Sequence, residues 1–266
     1  MIKQAQSYNS LRITNDFLFS KVMRNEKLCR QLLEVILNTQ IEHIEYQEEE
    51  KWIDITMESK SIRLDVFIKD GKKTVYNIEM QTANPGNLPK RSRYYQGMID
   101  LNLIEKGEDY NQLNKSYVIF ICTKDIFGKG RAIYTFENLC LEDTKIHLND
   151  ETTKIFLNPV SDMEDVDEGL KNFLSYLSKG IISDKFTEEL EKEVEKVKKN
   201  EEWEVEYMTL HMIKRESYEE GRIEGREEGK IEILINLVKT GLISISIASQ
   251  KVNMTEEEFI KYMSEE

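Results

Sequence analysis

No stretch of eighteen apolar residues occurs anywhere in the 266-residue chain, so no transmembrane helix is expected. The opening Met1-Ile2-Lys3-Gln4-Ala5-Gln6-Ser7 has no apolar segment of the kind that directs secretion. Cysteine is scarce. Cys29, Cys122 and Cys140 show no metal-ligand spacing, and an odd count without a leader favours a reducing cytoplasm. Cys29 and Cys122 lie in apolar periodic segments and are expected to be buried thiols. Histidine is equally scarce. His43, His147 and His211 are isolated, and none has a partner for a Ser-His or Cys-His nucleophile.

Excess positive charge is also missing, since the formal net charge is −13. That balance looks wrong for a nucleic-acid enzyme, but its distribution is uneven. Residues 1–160 hold 22 Lys and Arg against 23 Asp and Glu, whereas residues 161–266 hold 15 against 27. Residues 51–131 hold 14 against 10. The acidity therefore belongs to the C-terminal third, and a locally basic field remains available where anions would bind. Its small size argues against tight, sequence-independent DNA binding.

That basic segment contains the most informative stretch, from Ile62 to Gln81, which reads as two strands around Asp70-Gly71-Lys72. Side chains alternate across a strand. Ile62, Leu64, Val66 and Ile68 form one face of the first strand, and Tyr76, Ile78 and Met80 one face of the second. If both apolar faces meet one core, Arg63, Asp65, Phe67 and Lys69 share the opposite face with Val75, Asn77, Glu79 and Gln81. This parity requires a connection of three or five residues. Three would place Asp65 opposite Asn77 and diagonal to Glu79; five would place it directly opposite Glu79. Either brings the two carboxylates within about 4.5–8 Å.

Two carboxylates that close repel, and one tends to take up a proton. A divalent cation relieves the conflict, and hard oxygen ligands suit Mg²⁺ or Mn²⁺ better than zinc. The alternative is a solvated hairpin face on which Asp and Glu merely occur.

The rest of the chain supplies context. Asn15 or Asp16 can cap a helix reaching about Leu37, with Phe17, Val22, Leu28, Leu32, Leu33 and Ile36 on its apolar face. Asn84-Pro85-Gly86 reads as a loop. A helix from about Lys90 to Glu105 begins with Lys90, Arg91 and Arg93, whose charges and exposed amides suit phosphate. Tyr94 and Tyr95 could stack on bases or pack on the sheet, and Gln96 could support the site. Residues 116–123 read as a buried central strand, with further strands at 132–136 and 154–157. From Asp162 the chain is helical and charged. Gly221, Gly225 and Gly229 recur four apart, fitting either close helix approach in a dimer or a solvated linker helix. Two or three short helices are expected to end the chain. Glu256, Glu257 and Glu258 head the last of them, which suits an oligomerisation or partner module better than a DNA reader.

Several of these segments together resemble a family. Asn15-Asp16-Phe17-Leu18-Phe19-Ser20-Lys21, Leu64-Asp65-Val66, Asn77-Ile78-Glu79-Met80-Gln81, the basic-aromatic Lys90–Tyr95 run and the Glu-Gly repeat are similar to the Rpn family of recombination-promoting nucleases. Members of that family also carry the name transposase, and it falls within the PD-(D/E)XK nuclease superfamily. The likeness covers about residues 10–160 and 218–230. One departure from the superfamily pattern is Gln81 in place of the Lys of E-x-K, a substitution shared with this subgroup. Gln81 brings no positive charge and would orient the attacking water by hydrogen bonding.

The resemblance implies an α/β fold, a restriction-endonuclease-like PD-(D/E)XK core of mixed sheet and flanking helices over residues 1–160. An α-helical extension would follow over 161–266. It implies a Mg²⁺- or Mn²⁺-dependent DNA endonuclease linked to recombination, mobile elements or phage defence. Asp65, Glu79 and Gln81 would be catalytic. Asp65, Glu79 and the Met80 carbonyl would hold the metal, and Glu34 could join them or sit at a helix edge in water. Arg63, Lys90, Arg91, Arg93 and Tyr95 would contact DNA. A cytoplasmic homo-oligomer, joined through the C-terminal helices and without a membrane partner, completes the expectation. The alternative is a catalytically silent nuclease scaffold acting through its acidic tail. A transposase proper is less well supported, because no DDE triad of suitable spacing is evident.

Overall fold

The computed structural model describes residues 7–46, 52–53, 62–63, 65–82, 86–164 and 166–265. The single helix expected up to Leu37 is two helices, α1 (Asp16–Val22) and α2 (Glu26–Leu37). Each starts at an asparagine whose side chain accepts an amide of the first turn, Asn15 from Leu18 and Asn25 from Leu28. Such caps satisfy donors that a helix start leaves unpaired. Asn25 also donates through Nδ2 to Glu193 at 3.1 Å, which ties the break to a distant helix.

Strand β1 (Ile44–Tyr46) follows. β2 (Trp52–Ile53) and β3 (Ile62–Arg63) form a separate two-stranded sheet. The hairpin comprises β4 (Val66–Asp70) and β5 (Val75–Gln81). The first hairpin strand, expected to run unbroken from Ile62, is therefore divided. β3 pairs with β2, β4 pairs with β5, and Asp65 sits at the bend between them. Leu64 lies outside the described residues.

Helix α3 (Leu88–Leu103) carries the chain from β5 to β6 (Ser116–Cys122), which runs parallel to β5. β7 (Ile133–Phe136) and β8 (Thr152–Leu157) complete a six-stranded mixed sheet of order β1-β4-β5-β6-β8-β7. One sheet face carries Phe67, Val75, Val118, Phe120, Cys122 and Phe156, packed against Leu88, Tyr95, Met98 and Ile99 of α3. Residues of opposite parity, including Ile68, Ile78, Met80, Ile119 and Ile121, are buried as well, and α1 lies against β5. A strand buried on both sides reads as an unbroken apolar run, which is how β6 reads. Cys29 and Cys122 are buried, and burial pushes the Cys122 thiol up to about 12.

The first compact unit extends over Met1–Trp203, past the boundary expected near residue 160. It includes α4 (Glu168–Lys179) and α5 (Lys185–Lys198). Their buried Leu170, Phe173, Leu174, Leu190, Val194 and Val197 explain the difference, because α5 packs on α1 and α2 and α4 on α2. The Tyr8 hydroxyl donates to the Val197 carbonyl at 2.9 Å, and Arg12 to the Leu177 carbonyl at 3.1 Å. Charge density alone made this segment look like an appendage.

The second unit, Glu204–Glu266, holds most of α6 (Glu201–Lys239) with α7 (Ile245–Lys251) and α8 (Glu256–Glu265). Ile235, Ala248 and Phe259 form its core. Thr255 and Glu258 exchange hydrogen bonds as a capping box at the head of α8. A Cβ added at Gly221, Gly225 or Gly229 would meet nothing within 4 Å. Among the described residues no helix is long and apolar enough to cross a membrane.

Candidate active site

The hairpin register decides between the two open connections. Val66 pairs with Ile78, Phe67 with Asn77 and Lys69 with Val75, so five residues connect the strands. Continued by one step, that register sets Asp65 directly opposite Glu79. There the side chains join the two segments. The Asp65 amide donates to Glu79 Oε1 at 3.2 Å, and the Met80 amide to Asp65 Oδ2 at 3.2 Å. Each carboxylate thus holds the other's strand.

The backbone also orients Met80. The Val75 amide donates to the Lys115 carbonyl and the Thr123 amide to the Gln81 carbonyl. Odd-numbered residues of β5 therefore present their backbone groups to β6. Those of Met80 turn the other way, so its carbonyl faces the side on which its amide meets Asp65.

Glu79 is 2% exposed. Burial, then the nearby charge of Asp65, hold its carboxyl well above the usual carboxylate range. Arg91 opposes them. From the second turn of α3, its Nη2 donates to Glu79 Oε2 at 3.1 Å and its Nη1 to Gln81 Oε1 at 2.7 Å. Its Nε donates to the Tyr95 hydroxyl at 2.9 Å, and the guanidinium lies over the Tyr95 and Phe120 rings. One cation therefore bridges both polar side chains at the end of β5. Burial also pushes the Tyr95 hydroxyl, with help from the Glu79 charge, up to about 12.

The expected site residues separate into groups. Asp65, Glu79 and Gln81 come together. Arg91, expected on the DNA surface, is instead built into the site. Tyr95, expected to face DNA, is 7% exposed and packs on Phe120, so it cannot offer a stacking face. Lys90 and Arg93 are exposed on the first turns of α3, next to the C-terminal end of β5. Arg63 lies on β3, where the backbone alone is described. Glu34 accepts from Arg30 at 2.9 Å and from the Ile41 amide at 3.0 Å, which pins the end of α2 to the segment before β1. Gln96 donates to Ser116 and Asp100, at the N-terminal end of β6 and away from Glu79.

Two contributions were hidden in the sequence. Arg91 and Tyr95 are four apart on one helix, a spacing that predicts their contact but not its target. Asn77 shares the Glu79 face two residues earlier and is fully buried. It lies close enough to pull the Glu79 carboxyl down, yet neither of its amide atoms completes a hydrogen bond of ordinary length.

Two opposed carboxylates, a backbone carbonyl turned toward them and an incompletely bonded amide nearby make a hard, oxygen-rich donor set. It fits a hard divalent cation. Among the described residues no group of three His, Cys, Asp or Glu side chains gathers as a metal site, so the carboxylate pair is the minimum set. A separate concavity beside Ile182, Glu188, Glu191 and Lys192 follows α5 and contains none of these residues.

A family model described as PD-(D/E)XK nuclease family transposase matches residues 13–229. The match spans the whole sheet, the carboxylate pair, and α6 as far as Gly229. No curated protein and no solved structure matches the chain.

Proposed function

We propose that this chain, which belongs to the PD-(D/E)XK nuclease family transposases, is a Mg²⁺- or Mn²⁺-dependent DNA endonuclease. Its phosphodiester hydrolysis would take place at the open end of the β4–β5 hairpin. The observation that carries this reading is the placement of Asp65 directly opposite a buried Glu79, each bonded to the other's strand. Holding two like charges together costs stability, and a bound cation offsets that cost.

Asp65, Glu79 and the Met80 carbonyl would hold the ion. When bound, it supplies charge stabilisation at the phosphate and a more acidic water. The remaining work falls to the chain. Gln81, anchored through Oε1 by Arg91, is held beside Glu79 to orient the attacking water. Arg91 provides the positive charge that Gln81 lacks where a superfamily lysine would stand. Lys90 and Arg93 attract the phosphate backbone and set its register. The reading includes a cytoplasmic setting in recombination, mobile elements or phage defence. It also includes self-association through the C-terminal helices, where Val205, Met208 and Met212 are exposed at helical spacing on α6.

One observation favours a second reading, a catalytically silent scaffold acting through its acidic helical tail. Arg91 already engages Glu79 and Gln81, so the site has an internal cation. Nicking of supercoiled plasmid separates the two. The wild type should nick with Mg²⁺ or Mn²⁺, and Asp65→Ala and Glu79→Ala should not. Folded wild-type protein that fails to nick with either ion would favour the scaffold.

A further inference from the structure

The segment after β6 has no role in the site described so far. Thr123 leaves β6 beside the end of β5, its amide donating to the Gln81 carbonyl and its hydroxyl to the Thr82 carbonyl. Lys124 to Arg131 then form a loop before β7. Within it, five consecutive amides turn inward. Those of Phe127, Gly128 and Gly130 donate to the Asp125 carboxylate at 2.8–3.0 Å. Those of Lys129 and Arg131 donate to the Tyr134 hydroxyl, which itself donates to Asp125. Phe127 anchors the loop on Tyr134, Phe136 and Phe156. Gly128 and Gly130 adopt positive φ, which lets the chain wrap so tightly.

A ring of inward amides would ordinarily attract an anion, but Asp125 already fills it. The loop backbone is therefore unavailable to phosphate, and the outward side chains are what it offers. Lys124 and Lys129 are exposed and form no ion pair among the described residues. The loop leaves β6 at the carboxyl end of the central strands, where Gln81 ends β5 and α3 begins with Lys90 and Arg93. Residues 86–95 and 123–131 together hold six Lys and Arg against one acid, Asp125, whose carboxylate is turned into its own loop. In α/β sheets, ligands collect at the carboxyl ends of the strands.

We propose that the Lys124–Arg131 loop is a preformed nucleic-acid backbone contact, with Lys124 and Lys129 holding phosphates of the duplex presented to the Asp65–Glu79 pair. The proposal rests on the nuclease reading for the identity of its ligand. Asp125 and Tyr134 serve to hold the loop in shape before DNA arrives.

The test measures duplex-oligonucleotide affinity against NaCl concentration, with the full chain in EDTA so that no metal-dependent cleavage intervenes. Lys124→Ala/Lys129→Ala should weaken binding about tenfold at low salt and flatten the log–log salt slope by about 1.8, or ~0.9 per lost phosphate contact. Lys106→Ala/Lys145→Ala, an equal charge change in the connections that lead into the amino ends of β6 and β8, should leave the slope unchanged. An unchanged slope in the loop variant, or equal flattening in both variants, overturns the proposal, as does wild-type protein that binds no duplex. Plasmid nicking by the wild type, run alongside, keeps the two claims apart. Nicking with an unflattened slope removes the loop and keeps the nuclease. Flattening without nicking keeps the loop and removes the nuclease.

Discussion

The two ends of the β4–β5 hairpin use the same chemistry for opposite purposes. At the turn, Asp70 accepts the Lys72 and Thr74 amides at 2.9 and 2.8 Å and the Tyr76 hydroxyl at 2.8 Å. Its charge is surrounded by donors, and it shapes the turn. At the open end, Asp65 and Glu79 face each other, and one of them is buried. Local hydrogen bonding explains the first carboxylate. It cannot explain the second arrangement, which works against the stability of the metal-free chain. Residues held against their own electrostatic preference mark a functional site more clearly than satisfied ones do.

The comparison breaks most sharply under paired substitution. Asp65→Ala should abolish plasmid nicking, whereas Asp70→Ala should retain it and instead lower stability by about 1–3 kcal/mol, the usual cost of leaving polar groups unpaired. Thermal melts beside nicking assays would test both halves. Equal nicking by the two variants would remove Asp65 from the site.

A second difference lies in the response to metal. Mg²⁺ or Mn²⁺ should raise the melting temperature of the wild type, by about 2.7 kcal/mol of stability at roughly a hundred times Kd. Asp65→Asn should lose most of that rise. The pH dependence has a definite sign. Burial and Asp65 raise the Glu79 pKa, so its share of metal-free stability is complete below the ordinary carboxylate range and declines as pH climbs through the raised value. The ion favours the ionised form, so the metal-induced rise should grow with pH over that same window.

Arg91 sharpens the contrast from the other direction. Arg91→Ala strands Glu79 beside Asp65 without its counter-ion. Because the Arg91 side chain is 31% exposed, the expected cost is about 2 kcal/mol, below the 3–5 typical of fully buried pairs. Arg91→Lys should recover part of this loss, since a lysine returns the charge but cannot bridge Glu79 and Gln81 in a fork. Denaturant melts of both variants would check the order. The smallest effect belongs to Arg93→Ala, a flattening of the DNA-binding salt slope by about 0.9 with metal binding unchanged.

Much of the site was legible because strand alternation is local. The period of two assigns Glu79 and Gln81 to one face of their strand, and Asp65 joins them once both apolar faces meet one core. Caps are local too, as in the Thr255–Glu258 box at the head of α8. The divided first helix was legible in principle, since Asn25-Glu26 is a cap followed by a first-turn acid, but the apolar period runs through it and hides the break.

Other features depend on residues distant in the chain. Which residue faces Asp65 is a matter of register, settled by pairing along the whole hairpin. Arg91 reaches Glu79 because α3 crosses from β5 to β6 and lays its first turns over the end of β5. Nothing in the Lys90–Arg93 run separates the inward arginine from its exposed neighbours, since all three basic residues look alike until one helix face meets the sheet. Tyr95 is turned inward by the same rotation. Helices α4 and α5 join the first unit because their apolar stripes find α1 and α2, a choice that charge composition obscures. The sequence by itself determined which side chains could act together, because alternation and capping need only near neighbours. The tertiary structure alone decided which of them do, because register and helix docking are set by contacts between segments far apart in the chain.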